Sequence, residues 1–286
     1  MVRAMELLEK YEKKQLNKKS ENTVKAYITD LKHFNSFLVS RGKRFDGVTN
    51  KDIETYIEFL LSQKNKITKN LIKPKTVNRK LVSIRKYINF LNAAEEYQGN
   101  IFVEIELLKV QDQYYLDNLL SKKEYDRMLE RAIQENDKKA YVIFNALYYT
   151  GTRVSELLQI KAEHINNDNL TVCGKGEKYR EIILSETIIN ILRDYIYRNE
   201  IKPEDILFKM TRQNIHKIIK EYAGKCRIKL VKAHAHNFRH LCAFRLIGGG
   251  ASIEEVADFM GHSNINTTRI YTRKTKSELR KTLNNL

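Results

Sequence analysis

A chain of 286 residues has room for two domains, each with its own hydrophobic core. Its 52 lysines and arginines outweigh 35 acidic residues, and the net charge of +17 points to a polyanionic partner, nucleic acid first. No apolar run approaches the ~18–20 residues of a membrane span, and the N-terminus lacks the apolar core of a secretory signal. Cys173, Cys226 and Cys242 are widely spaced and make no disulfide framework, so a reducing, cytoplasmic setting without membrane contact is expected. Two prolines among many Leu, Ile, Glu and Lys favour a mainly helical chain.

The first hundred residues read as a compact set of helices. Met5 to Leu16 is the first, and Asn22 to Ser40 the second, with Val24, Ile28, Leu31, Phe34 and Leu38 at helical spacing before Gly42 stops it. Thr49, with Asp52 three residues on, opens a third whose inner stripe is Ile53, Tyr56, Ile57 and Leu60. Lys64 to Lys75 holds Lys66, Lys69, Lys73 and Lys75 without an acidic residue and reads as an exposed basic loop closed by Pro74. Thr76 then caps a fourth helix, in which Val77, Leu81, Ile84, Ile88 and Leu91 form the inner stripe. Arg79, Lys80, Arg85 and Lys86 lie off that stripe. A solvated face is the usual fate of such charges, but with the basic loop beside them they are expected to meet DNA phosphates.

The helical periodicity is lost from Glu104 to Asn118, which reads as a linker between a helical domain (1–103) and a second domain (119–286). Ser121 and Glu124 form a capping box at the start of the second domain. Helices are expected over Lys122–Asn136 and Lys138–Thr150, with a new one after Gly151. Leu170-Thr171-Val172 and Glu181 to Leu184 alternate around Gly174 and Gly176, which predicts a β-hairpin. Helices resume over Glu186–Asn199, Gln213–Lys225 and His236–Ile247, and Ser252 with Glu255 makes another capping box. The expected fold class is therefore mainly α with a small β-sheet in the second domain, α+β.

Six polar residues of this second domain carry a chemical pattern. Arg153 stands in Thr-Gly-Thr-Arg, Lys175 in Gly-Lys-Gly, His236 and Arg239 in His-Asn-Phe-Arg-His, His262 in Gly-His-Ser and Tyr271 in Ile-Tyr-Thr. Together they can break a phosphodiester without metal or cofactor: a tyrosine attacks phosphorus, cations hold the charge that builds up, and an acid protonates the departing oxygen. Free tyrosine has a pKa of ~10, so nearby cations must raise its reactivity. Guanidinium can hold two phosphate oxygens at once, which suits Arg153 and Arg239 as clamps. Each residue alone has a duller reading, as a surface arginine, an exposed turn lysine or one of sixteen tyrosines.

The order of these boxes resembles the tyrosine recombinases, the phage-integrase family, over nearly the whole chain. Gly151-Thr152-Arg153-Val154-Ser155-Glu156-Leu157-Leu158 is similar to the family's first arginine box, and Gly261-His262 with Thr267-Thr268 and Tyr271 to its histidine-to-tyrosine segment. Phe238 stands where leucine is usual, and Leu241-Cys242 where Ser or Thr is common. The resemblance implies a helical (SAM-like) core-DNA-binding domain before the catalytic one, the two forming a C-shaped clamp. It makes Tyr271 the nucleophile of a 3′-phosphotyrosyl bond and Lys175 the general acid, with Lys178 the alternative. His236 would assist proton removal and His262 would position a phosphate oxygen; which histidine accepts the proton stays open. Implied partners are double-stranded DNA with an inverted-repeat core site, a homotetramer on two sites that is a monomer or dimer when free, and accessory proteins. Strands would be exchanged through a Holliday junction, in integration, excision or resolution. Residue 1 lies close to the first helix, which resembles the simple Xer-like and transposon-resolvase members. Leu279, Leu283 and Leu286 form a helical stripe in the tail, which either packs on its own domain or, as the resemblance implies, docks on a neighbouring protomer.

Three rivals remain. His236 and His240 have the spacing of a zinc hydrolase helix, but Asn237 stands where the essential glutamate would be. Ser252 to Tyr271 has the look of a helix-turn-helix, which alone suggests a non-catalytic DNA-binding regulator. A type IB topoisomerase would share the phosphotyrosine chemistry.

Overall fold

The computed structural model describes residues 3–64, 70–97, 99–110, 118–166, 169–173, 179–261 and 268. The chain divides into two compact units, Met1–Asp112 and Gln113–Leu286.

In the first unit a short 3-10 turn, Ala4–Leu7, leads into α1 (Leu8–Leu16), followed by α2 (Glu21–Ser40), α3 (Asn50–Ser62) and α4 (Pro74–Asn92). The inner stripes of α2, α3 and α4 meet as expected: Val24, Leu31, Phe34, Leu38, Tyr56, Leu60, Val77, Leu81, Ile84 and Leu91 are all fully buried. Burial of each such side chain contributes about 1.5–3 kcal/mol. Phe34 and Tyr56 pack with ring centroids 4.7 Å apart, and Tyr11 meets Tyr87 edge-on at 4.9 Å. The start of α3 is the expected capping box, with Thr49 N–H donating to Asp52 Oδ2 at 3.0 Å. The start of α4 differs from expectation, because Pro74 and not Thr76 opens it. Proline has no N–H to satisfy and its φ is already helical, so it suits the first helical position.

One buried acid organises the outer side of α4. Asp30, 1% exposed, accepts both Nη atoms of Arg79 at 2.5 and 2.9 Å, the Lys80 ammonium at 3.3 Å and the Ser83 hydroxyl at 3.0 Å. Residues 99–110 contain neither helix nor strand and lie along this unit. Two asparagines hold them by paired bonds: Asn92 to both backbone groups of Ile101, and Asn78 to those of Leu108.

The second unit is built around α6 (Lys138–Thr150), which is buried on nearly every side and packs on α5 (Lys122–Gln134), α9 (Glu186–Arg198) and α11 (Ala235–Gly248). Two short helices, α7 (Val154–Leu157) and α8 (Ala162–Asn166), follow α6. Strands β1 (Asn169–Cys173) and β2 (Tyr179–Ile183) pair antiparallel, with Val172 opposite Arg180 and Cys173 opposite Tyr179. Leu170, Val172 and Ile182 face the core while Tyr179 and Ile183 face solvent, the period-2 alternation of a half-buried hairpin. Helices α10 (Arg212–Lys225) and α12 (Ile253–Met260) complete the described part of the unit. Both expected capping boxes form, at Ser121 with Glu124 and at Ser252 with Glu255. Cys226 and Cys242 are free thiols.

Among the described residues five helices end in the same hydrogen-bond pattern, in which two consecutive N–H groups turn back onto the last turn and the first of the two residues has positive φ; at α11 it is Gly250 (φ +96). At α2 that residue is Gly42 (φ +69) and at α5 it is Asn136 (φ +53), both suited to it. At α9 and α10 it is Glu200 (φ +49) and Arg227 (φ +55), whose Cβ atoms crowd the backbone. Arg227→Gly is therefore expected to raise stability by about 0.5–1 kcal/mol. The check is a higher denaturant midpoint at unchanged m value.

Candidate active site

The end of α6 sets the position of the site. Gly151 is its left-handed cap (φ +58), and a Cβ there would lie 2.9 Å from Met260 Cε and 3.2 Å from Cys242 Sγ. The end of α6, the middle of α11 and the end of α12 thus close on a left-handed residue that favours glycine. The freed carbonyl of Gly151 accepts Arg239 Nη1 at 2.6 Å, and Met260 O at the end of α12 accepts Nη2. Arg239, 1% exposed, is thereby oriented by two backbone carbonyls. Thr150 and Thr152, both buried, brace the turn with hydroxyls 2.9 Å apart.

Arg153 follows at the N-cap of α7. Glu156, fully buried three residues on, accepts the Arg153 N–H at 2.8 Å and Arg153 Nη1 at 2.6 Å. Its second oxygen also receives Arg180 Nη2 from β2 at 2.8 Å. Burial alone would push the Glu156 carboxyl up, but the Arg180 guanidinium and the Arg153 N–H overcome it and hold the group below the usual carboxylate range. The other Nη of Arg180 donates to Phe259 O at 2.6 Å. Its Cδ would lie 2.7 Å from a Cβ on Gly261, which is left-handed at φ +60.

His236 and Arg239 project from the first turns of α11. His236 is open to solvent along one side, yet the surrounding protein and the charges of Arg239, His234 and Arg153 depress its basicity, in that order. Its ring meets that of His240 edge to face at 4.6 Å. Asn237, fully buried between them, donates to Lys232 O at 2.8 Å and Asn118 O at 3.2 Å. The position a zinc hydrolase would give to glutamate is therefore a clasp on the backbone before α11. Cys242 packs under the α6 end, its thiol pushed up by burial.

Three of the six candidates, Arg153, His236 and Arg239, are thus brought together around Gly151. Lys175, Lys178, His262 and Tyr271 lie outside the described residues, as does the tail stripe. Cys173 and Tyr179 pair on either side of residues 174–178, and Gly261 closes α12 directly before residue 262. Of the expected DNA-contacting residues, Lys66 and Lys69 are also outside. Lys73, Lys75 and Arg85 are exposed on α4 and before it. Lys86 is exposed too, with its ammonium 2.8 Å from the Tyr27 hydroxyl and above that ring. Arg79 shares its charge with Asp30 while 46% of its side chain stays exposed; Lys80, at 12%, is largely spent on the same acid.

Glu156, Arg180 and Asp30 had no assigned role in the sequence reading. A signal for Glu156 existed, an acid between Val154 and Leu157 at N3 after an N-cap. The partners of Arg180 and Asp30 lie 24 and 49 residues away or more and leave no local trace.

Residues 118–278 match the phage integrase family, and residues 8–95 match the phage integrase N-terminal SAM-like domain. A tyrosine recombinase of Pseudothermotoga lettingae is 31% identical over 259 residues, covering 88% of this chain and 87% of that protein. A TnP I resolvase of Bacillus thuringiensis is 28% identical, covering 92% and 93%. Among solved structures, the Tn1549 transposon integrase in complex with transposon right-end DNA superposes with a TM-score of 0.70 at 17% identity, covering 100% of this chain and 99% of that one. A pre-cleavage complex of XerH recombinase with its difH substrate gives 0.68 at 20% identity, covering 96% and 83%.

Removing Glu156 would leave two guanidinium groups facing a buried gap. Glu156→Ala is expected to destabilise the protein by about 3–5 kcal/mol. Thermal and denaturant unfolding measure this; a loss below about 1 kcal/mol would mean that solvent or Arg153 itself replaces the carboxylate.

Proposed function

Because this chain belongs to the phage integrase family and is a site-specific DNA recombinase of the tyrosine type, we propose that it works through the six residues of its own boxes. Tyr271 attacks the scissile phosphorus, a 3′-phosphotyrosyl bond forms, and the bond to the 5′ oxygen breaks. The observation that carries this reading is the convergence at the Gly151 turn of Arg153, from the start of α7, with His236 and Arg239, from the first turns of α11.

Each residue then has a physical task. Arg153 and Arg239 hold the non-bridging oxygens, where charge grows as phosphorus becomes pentavalent. Their forks are aimed in advance, Arg153 by Glu156 and Arg239 by two carbonyls, so little reorganisation is needed at the moment of reaction. His236, whose charged form is disfavoured first by burial and then by the neighbouring cations, can accept a hydrogen bond or proton from the Tyr271 hydroxyl. His262 adds a hydrogen bond to a phosphate oxygen. Lys175 gives a proton to the leaving 5′ oxygen. A free 5′ hydroxyl of the partner strand reverses the step, so the bond energy kept in the phosphotyrosine makes ATP and a divalent metal unnecessary.

DNA is the partner. The finer reading is a duplex core site with inverted repeats, two of which are brought together by four protomers and exchanged through a Holliday junction, with accessory proteins in some settings. The exposed Lys73, Lys75, Arg79, Arg85 and Lys86 of the first unit supply phosphate contacts. Among the described residues no helix is long and apolar enough to cross a membrane, which suits a protein acting on DNA in the cytoplasm.

Covalent trapping tests the nucleophile. On a nicked suicide substrate carrying the core site, the protein is expected to give an EDTA-resistant shifted band on a denaturing gel that Tyr271→Phe abolishes. Tight duplex binding without any band would instead make the chain a non-catalytic regulator. Arg239→Lys keeps the charge but loses the fork and should slow single-turnover cleavage about 10²–10³-fold.

The pH dependence follows from His236. Its folded-state pKa is depressed below the ordinary 6.5, so a smaller fraction of it is charged near that pH than of a free imidazole. The acid limb of the cleavage profile should therefore fall below pH 6.5 and disappear in His236→Gln. The same shift makes the unfolded chain bind more protons than the native one just below 6.5, so this group lowers stability as pH falls through that value.

A further inference from the structure

The segment of Arg153 and the described flanks of Lys175 and His262, three of the six candidate residues, meet at one side chain outside the set. Arg180 is on β2, two positions from Ile182 on the inward face of the hairpin, and only 12% of its side chain is exposed. One Nη reaches the buried Glu156 that also holds Arg153, and the other reaches Phe259 O in the last turn of α12, two residues before Gly261 and three before His262. Across the hairpin, Val172 is its register partner, so Arg180 sits at the end of the sheet next to the 174–178 connection, which bears Lys175 and Lys178.

We propose that Arg180 is a positioning residue: its forked guanidinium fastens the lysine-bearing end of the hairpin to the Arg153 box and to the end of α12, so that the proton donor is presented to the same phosphate that the arginines hold. This rests on the reading of a hairpin lysine as the general acid. Three features of the geometry argue for it. First, the inner side chains Leu170, Val172 and Ile182 anchor the sheet to the core, but they do so through apolar packing that fixes no hydrogen-bond geometry at the connection. Second, the two acceptors of Arg180 lie on different segments, a carboxylate on α7 and a carbonyl on α12, and a single ammonium cannot span both. Third, Gly261 leaves no room for a side chain where the Arg180 stem passes, so the backbone before His262 is shaped around this arginine. Loss of Arg180 leaves Glu156 still paired with Arg153, so its effect falls on the hairpin more than on the phosphate clamp.

The test uses the leaving group. A substrate with sulfur in place of the bridging 5′ oxygen at the scissile phosphate expels a thiolate, which needs no proton. Single-turnover cleavage by the full chain is measured on oxygen and sulfur substrates for the wild type, Arg180→Lys, Lys175→Ala and Lys178→Ala. Duplex affinity and melting temperature confirm that each variant is folded. Arg180→Lys is expected to cleave the oxygen substrate about 10²-fold more slowly, within the range of a lost general acid. It should cleave the sulfur substrate within about tenfold of wild type, as the lysine variant that removes the acid does. If that lysine variant is restored by sulfur while Arg180→Lys is slowed equally on both substrates, or on neither, the role assigned to Arg180 is wrong. If neither lysine variant is restored by sulfur, the hairpin acid itself is wrong and the proposal for Arg180 falls with it.

Discussion

The catalytic unit depends on a carboxylate that has no access to water. Glu156 is fully buried, and an isolated charge there would be unstable by several kcal/mol. Its stability comes from two guanidinium groups and a backbone N–H that approach from different parts of the chain. The dependence runs both ways. The acid is tolerable only because Arg153 and Arg180 are there, and the cations converge only because the acid sits among them. A chain with a large positive excess gathers like charges at one point by placing the opposite charge underneath.

The second constraint is steric and lies at Gly151. A left-handed residue ends α6, the most buried helix of the unit, and a glycine lets Met260 and Cys242 close over it. Its carbonyl turns toward Arg239, and the last carbonyl of α12 completes the grip. The polar face of the site is therefore built from main-chain groups that helices leave unsatisfied at their ends. Rigid helices carry the geometry, and the side chains need only span short distances. His236 sits beside this cluster of cations: burial disfavours its charged form first, and the charges of Arg239, His234 and Arg153 add to that. A neutral base among cations suits a reaction in which the phosphate supplies the negative charge.

The first unit repeats the device in a quieter form. Asp30, buried on α2, holds Arg79, Lys80 and Ser83 of α4 and locks the two helices by charge as well as by packing. Arg79 is ordered by that pair without being removed from solvent, whereas Lys80 is drawn inward. Two lysine- or arginine-bearing positions one residue apart thus end in different environments, which spacing along a helix does not reveal.

Much of both units was legible in local pattern. The apolar stripes of α2, α3 and α4, the boxes at Ser121 and Ser252 and the alternating strands on either side of Gly174 depend on residues within one or two turns, and there the physics is short-ranged. The start of α4 was misplaced because Pro74 reads equally as the end of a loop and as the first residue of a helix. The boxes around Arg153 and His236 likewise announced their chemistry through spacing and order, and family resemblance carried their roles. What only the tertiary structure decided is which charges meet: Arg180 with Glu156 and Phe259 O, Arg239 with Gly151 O and Met260 O, Arg79 with Asp30. Such pairs form between segments brought together by core packing, and the balance between desolvation and pairing depends on burial, a property no residue has until the chain has folded.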